Sequence, residues 1–201
     1  MPSETDCLND ALGQIGAARI TAIDDQSINA NHCAVFYPSL RDGLLRSHHW
    51  NFAMQRVALA ADVTAPVSEF AYAYTLPGDC LKVVDYAGGT PSSSVVWSSE
   101  YAGMRFVPRY KIEGRKLLTN DGVVYIRYLK QVTNVGEWDG MFYQAVTSLL
   151  ASKLATAISH DHKMALALQK VGDHLLGLAM AVDGQEGSTE PFVVDDLLWG
   201  R

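Results

Sequence analysis

The residues best suited to chemistry are the six histidines, the three cysteines and two adjacent acids near the carboxy end. His160 and His162 flank Asp161 and are the best metal candidates. On a helix that spacing splays the two rings, and in a turn between helices such residues cap and solvate the connection. His48 and His49 adjoin Trp50, with His32 and Cys33 a few helical turns earlier. Adjacent side chains point in different directions, and no carboxylate at ligand spacing completes a set. Asp195 and Asp196 stand in a terminal arm, a poor place to hold a general acid and base at fixed separation. P-loop, Gly-x-Gly-x-x-Gly, Gly-x-Ser-x-Gly and His-Glu-x-x-His patterns are all absent. Cys7, Cys33 and Cys80 are odd in number, lack CxxC spacing and lie among apolar neighbours, the pattern of reduced core thiols. No catalytic residue, metal or cofactor is therefore assigned, and the reading is of a protein that is not an enzyme.

The 201 residues are 48% hydrophobic and 19% charged, enough for one good core or two small ones. A formal charge of -6 argues against a nonspecific grip on nucleic acid, which needs a basic surface. No apolar run approaches the roughly 20 residues that span a bilayer, and MPSETDCLND lacks the basic start and apolar stretch of a signal peptide. The expectation is a chain that stays in the cytoplasm where it is made, with no membrane partner.

The elements that position these residues follow from periodicity. Ser3, with Asp6 three residues on, opens a first helix whose apolar face is Leu8, Ala11, Leu12 and Ile15, and Gly13 and Gly16 end it. Asp25 or Ser27 caps a second helix bearing Ile28, Val35, Phe36, Leu40, Leu44 and Leu45. Pro38 within it predicts a kink or restart near Tyr37. From Trp50 the pattern changes to alternation, with Trp50, Phe52 and Met54 on one side, so Trp50 falls at a joint between a helical layer and a sheet. Strands are expected over Phe70–Tyr74 and Leu81–Tyr86, paired across a Pro77-Gly78-Asp79 turn. Lys116–Leu118 and Val123–Leu129 flank Asp121-Gly122 and read as a tight hairpin. Between the two pairs, a Gly- and Ser-rich stretch holding Trp97, Tyr101 and Phe106 predicts a long mobile loop, read as a surface hairpin or a docking loop. Asp139 precedes a helix striped with Phe142, Val146, Leu149, Leu150, Leu154 and Ile158. His160–His162 interrupts it. A further helix carries Met164, Leu168, Val171, Leu175 and Leu178, closed by Gly184. The result is an α+β fold: a small helical bundle from residues 1–49 and 137–184, an inserted antiparallel β subdomain over 50–136, and an extended C-terminal arm over 185–201. In that arm Phe192, Val193, Val194, Leu197, Leu198 and Trp199 surround the two acids. Ordering eight residues on one buried side is unfavourable, so the arm reads as loose on a lone subunit and suited to a preformed groove, with fold-back onto its own body the other reading.

The runs LRDGLLRSHHWNFAMQRVALA and YAYTLPGDCLKVVDY carry a resemblance. Together they are similar to the phage adaptor family of tail tubular protein A and its relatives. In that family an arginine-bearing helix leads to a Trp-Asn-Phe-Ala step, an Arg-x-Ala-Leu strand and a Tyr-x-Leu-Pro-x-Asp-Cys-Leu segment. The matching positions here include Arg46, Trp50, Asn51, Phe52, Arg56, Leu76, Pro77, Asp79 and Leu81.

The resemblance implies a head-to-tail connector of a short-tailed phage virion: a ring, a dodecamer matching the portal, that extends the DNA channel and docks a tail nozzle or other distal tail protein. DNA would pass without specific binding, and assembly would begin in the host cytoplasm. The arm residues 192–194 and 197–199, with Trp97 and Tyr101 in the long loop, are the candidate docking positions. Three alternatives stand beside it: a head-completion connector of a long-tailed phage, a small metal-dependent enzyme using His160, Asp161 and His162, and a ligand-binding α+β module.

Overall fold

In the computed structural model, residues 2–67, 69–89 and 110–186 are described. Trp97, Tyr101 and Phe106 of the expected loop, and the arm residues Phe192–Trp199, lie outside them. Among the described residues the architecture is α+β, with four α-helices and two three-stranded antiparallel sheets. The helices are α1 (Glu4–Gln14), α2 (Ile28–Ser47), α3 (Gly140–Leu154) and α4 (His162–Glu186). The strands are β1 (Met54–Leu59), β2 (Tyr72–Thr75), β3 (Cys80–Gly89), β4 (Tyr110–Glu113), β5 (Lys116–Thr119) and β6 (Val123–Lys130).

Helix α1 starts where its sequence says it should. Ser3 Oγ accepts from the Asp6 amide, and the Asp6 carboxylate accepts from the Ser3 amide at 2.9 Å, a complete capping box. Gly13 lies inside the helix rather than ending it. The stop is Gly16, whose φ of +68° turns the chain so that the Ala17 and Gly16 amides reach the carbonyls of Leu12 and Gly13.

Helix α2 is capped by Ser27 and runs without interruption through Pro38. The expected restart near Tyr37 does not occur. The carbonyl that Pro38 leaves without its helical donor belongs to Ala34, which is exposed and within reach of water. The buried face also differs from the apolar pattern. Ala30, Cys33, Tyr37, Arg41 and Leu45 point inward, whereas Ile28 and Val35 are 73% and 68% exposed. Leu45 is buried as expected, and Phe36, Leu40 and Leu44 pack against the core, but the centre of the inward line holds small and polar residues that hydrophobicity alone passes over.

A similar rotation holds in α4. Its innermost line is Ala165, Gly172, Ala179 and Asp183. A Cβ on Gly172 would lie 2.6 Å from Leu149 Cγ, so α3 and α4 approach too closely there for any larger residue. The expected stripe sits on the flank: Met164 and Leu168 pack against the core, while Val171 is 50% exposed. The helix continues past Gly184 to Glu186. By length and composition α4 reaches what a bilayer crossing asks, but Lys170 and Asp173 stand in its middle. Helix α3 buries Phe142, Val146, Leu149, Leu150 and Leu154 as its stripe predicts, and passes through one π-helical turn, Ala155–Ser159, before His160 reverses at a φ of +52°.

The strand pairing corrects the sequence reading. One sheet has the order β1-β6-β3 and the other β2-β5-β4. Strands β2 and β3 are therefore not neighbours, and neither are β5 and β6. Asp121-Gly122 forms no tight hairpin: Gly122 does not take a positive φ, and the linker instead crosses from one sheet to the other. Side chains hold it in that path. Tyr74 Oη donates to the Asp121 carbonyl at 2.7 Å, Tyr86 Oη to the Asp121 carboxylate, and the Ala71 amide to Asn120 Oδ1 at 2.9 Å. The two-residue hairpin is β4–β5, with Gly114 at φ +60° in the first central position.

The sheet containing β6 lies between two cores. Leu129, with Met54, Leu81 and Val84, faces a helical core built from all four helices. Val124, Ile126 and Tyr128 face a smaller core shared with Tyr74, Leu76, Cys80, Tyr86 and Leu117. Tyr128 and Leu129, consecutive in β6, therefore serve different cores, as alternation on a strand requires.

Candidate functional site

Of the residues that carry the family resemblance, Arg46, Trp50, Asn51 and Phe52 lie at the joint between α2 and β1. Alternation does not begin at Trp50. The chain first makes a 3-10 turn, Asn51–Ala53, and the strand starts at Met54. That turn lets Trp50 leave α2 and enter the core completely, where Nε1 donates to the Leu44 carbonyl at 3.0 Å. Phe142 of α3 meets its ring edge-on with centroids 4.7 Å apart, and His48 meets it at the same distance. Phe52 and Trp138 both pack on Phe142, with centroids 5.2 Å apart in each pair. Such edge-to-face contacts each contribute about 0.5–1.5 kcal/mol beyond area burial.

Asn51 and His48 bind a residue that the sequence reading did not single out. Asp183, near the end of α4, is buried, and both of its carboxylate oxygens have partners. Oδ1 accepts from the Asn51 amide at 2.9 Å, and Oδ2 lies 3.1 Å from His48 Nε2. Asn51 Nδ2 also donates to the Asp183 main-chain carbonyl at 2.8 Å. The signal for Asp183 was available only in retrospect. It occupies the inward phase of α4, four residues after Ala179, and a charge there needs partners.

Arg46 fastens the other side of the joint. Its Nη1 donates to the Leu81 carbonyl at 3.0 Å, so the helix end is tied to the start of β3. The Leu-Pro-x-Asp segment is the corner between the two sheets. Leu76 is buried, Pro77 and Gly78 carbonyls accept from Arg115, and Asp79 accepts from Tyr128 Oη at 3.2 Å while its carbonyl takes the Gln131 amide at 2.7 Å. His49 points away from His48. Its Nε2 accepts from Lys82 Nζ at 3.2 Å, and burial together with the nearby ammonium holds its pKa below the usual histidine range. A third tie runs from α2 to the strand exit, where Asp42 bridges Arg41 Nε at 2.8 Å and Gln131 Nε2 at 2.7 Å.

The remaining chemical candidates are placed apart. Asp161 Oδ1 accepts from the amides of Lys163 and Met164 and caps α4, with His160 and His162 exposed on either side. Among the described residues no group of three or more His, Cys, Asp or Glu side chains is gathered closely enough to hold a metal ion. Cys7 and Cys33 are fully buried, and burial pushes their thiols up to about 12 and about 11. Asp195 and Asp196 fall outside the described residues.

The joint's polar groups are thus occupied by one another. A carboxylate with both oxygens bonded to His48 and Asn51, near a fully buried indole, ties the end of α4 to the joint between α2 and β1. No protein-family model matches the chain, and no curated protein matches it.

Proposed function

We propose that the chain is a structural adaptor of a phage virion, a subunit of a ring placed between portal and tail that extends the DNA channel and presents a platform to the next tail component. The observation that carries this reading is the convergence of two signature segments. Arg46 of the first bonds Leu81 of the second, and Asn51 bonds Asp183 of α4, so residues that carry the resemblance brace one corner. A ring subunit under the load of a packaged genome needs such a brace, since misaligned subunits would not close on a symmetry axis. The arm residues Phe192–Val194 and Leu197–Trp199 and the Trp97 and Tyr101 loop supply apolar positions for docking neighbours, the portal and a distal tail protein, each weak contact reinforced by its symmetry mates.

The test is the mass of the purified chain by light scattering behind a sizing column, alone and after mixing with the portal from the same genome. One copy per portal subunit in a joint complex is the expected result. A chain that stays small and ignores the portal overturns the proposal.

A further inference from the structure

Helix α4 leaves an apolar seam open near its carboxy end. Val171, Leu175, Leu178 and Val182 follow one another at four, three and four residues, the spacing of a packing seam on one helix face. Leu175 is half-buried, and Leu178 and Val182 are 40% and 38% exposed, so no described element covers the seam. Its neighbours on the open side are Lys170, His174 and the small Ala167 and Ala181, all exposed. Asp173, by helical phase, stands on the far side. Lys170 and His174 make no ion pair among the described residues.

We propose that this seam is the seat of the chain's own residues 192–199, folded back on the same subunit. Three observations select that occupant. The chain continues directly from Glu186 at the seam's near end, and Val182 is only about 6 Å back along the axis at 1.5 Å per residue. Residues 187–191 reach up to about 20 Å when extended, more than that return needs, and Val171 at the far end is about 22 Å from Glu186 along the helix. The segment is also complementary. Val193, Val194, Leu197 and Leu198 share one face at helical spacing, while Asp195 and Asp196 fall on the other, so an apolar side meets the seam and the two carboxylates stay in water. Docking there buries both the segment and the seam, twice the apolar surface that ordering the segment alone would bury. The seat is a property of the isolated chain and does not depend on the adaptor reading. In a ring it would be the place from which the arm is released to a partner.

The full-length chain carrying Leu178→Cys and Val194→Cys, with each single variant as control, tests it. The native thiols Cys7, Cys33 and Cys80 are buried, which shields them from mild oxidation. Mild oxidation should yield a 178–194 disulfide within one chain, read by peptide mass and by monomer mobility on a non-reducing gel. Cross-links only between chains, or none beyond the single-cysteine controls, overturn the proposal. Hydrogen exchange gives an independent reading that needs no oxidation. Residues 192–199 should exchange more slowly than a free peptide, and Leu178→Asp should speed them about tenfold. Free-peptide rates in the unsubstituted chain, or rates that Leu178→Asp leaves unchanged, overturn it as well.

Discussion

Trp50 carries more of the joint than any other single side chain, because three rings and a carbonyl are arranged around it. Trp50→Ala should cost about 3–5 kcal/mol of unfolding free energy, measured by urea denaturation. A variant that melts like its parent would move the joint elsewhere. Asp183→Ala tests the polar half. It strands the Asn51 amide, and leaving a buried donor unpaired costs about 1–3 kcal/mol. The thiols set a pH limit of a different kind. Cys7 and Cys33 have folded pKa values raised to about 12 and about 11, so the folded chain binds protons that the unfolded chain gives up above the ordinary thiol range. Their contribution to stability is complete below pH 8 and falls as pH rises from about 8.5 toward those values. Cys7→Ser and Cys33→Ser together should flatten that alkaline decline. At the level of single residues, Ser3, Ser27, Asp139 and Trp50 were legible because capping and burial of a large ring are local rules. Asp183 was not, since its value comes from Asn51 and His48, which are distant in sequence.

At the scale of elements, helix existence followed from pattern, and orientation followed for α1 and α3 but not fully for α2 and α4. Helices α2 and α4 turn small residues, an arginine and an aspartate inward, because close approach and polar pairing outweighed apolar area there. The strands show the complementary failure. Asp121-Gly122 carried a hairpin signal, yet Tyr74 and Tyr86 hold Asp121 in a crossing between sheets, and three-dimensional bonding prevailed over turn propensity. Gly88 makes room for that arrangement, since a Cβ there would strike the Tyr86 hydroxyl and the Asp121 carboxylate. Two glycines of α4 allow a test by opposite signs. Gly172→Ala drives a methyl into Leu149 and should destabilise by about 1–3 kcal/mol. Gly177→Ala meets nothing within 4 Å and should stabilise by about 0.5–1 kcal/mol, through reduced freedom of the unfolded chain and better helix propensity. Thermal melts of the two variants beside the parent decide both.

For the whole molecule, the α+β class was legible from the switch between helical and alternating periods, while the assignment of strands to two sheets was not. Pairing β6 with both β1 and β3 joins segments that no local pattern connects. The prediction at this scale concerns the arm. Removing Pro191–Arg201 should lower the melting temperature only slightly, by no more than the small contribution of a seat on the α4 seam, because that seam lies outside the two cores formed by the described residues, and on the adaptor reading it should weaken association with the portal. A large loss of stability would instead make the arm part of a core.

The placement of α1 has a consequence for how the chain is made. Tyr143 of α3 donates to Asp10 of α1, 133 residues earlier, and the two helices share the main core. During synthesis α1 and α2 emerge with their apolar faces unmatched and must wait until α3 has left the ribosome, whereas the sheets can close as soon as β6 appears. Chains stalled just after Lys130 would then present a formed β core beside two helices with nothing to pack on. That interval, rather than the finished fold, is when the chain exposes the most apolar surface.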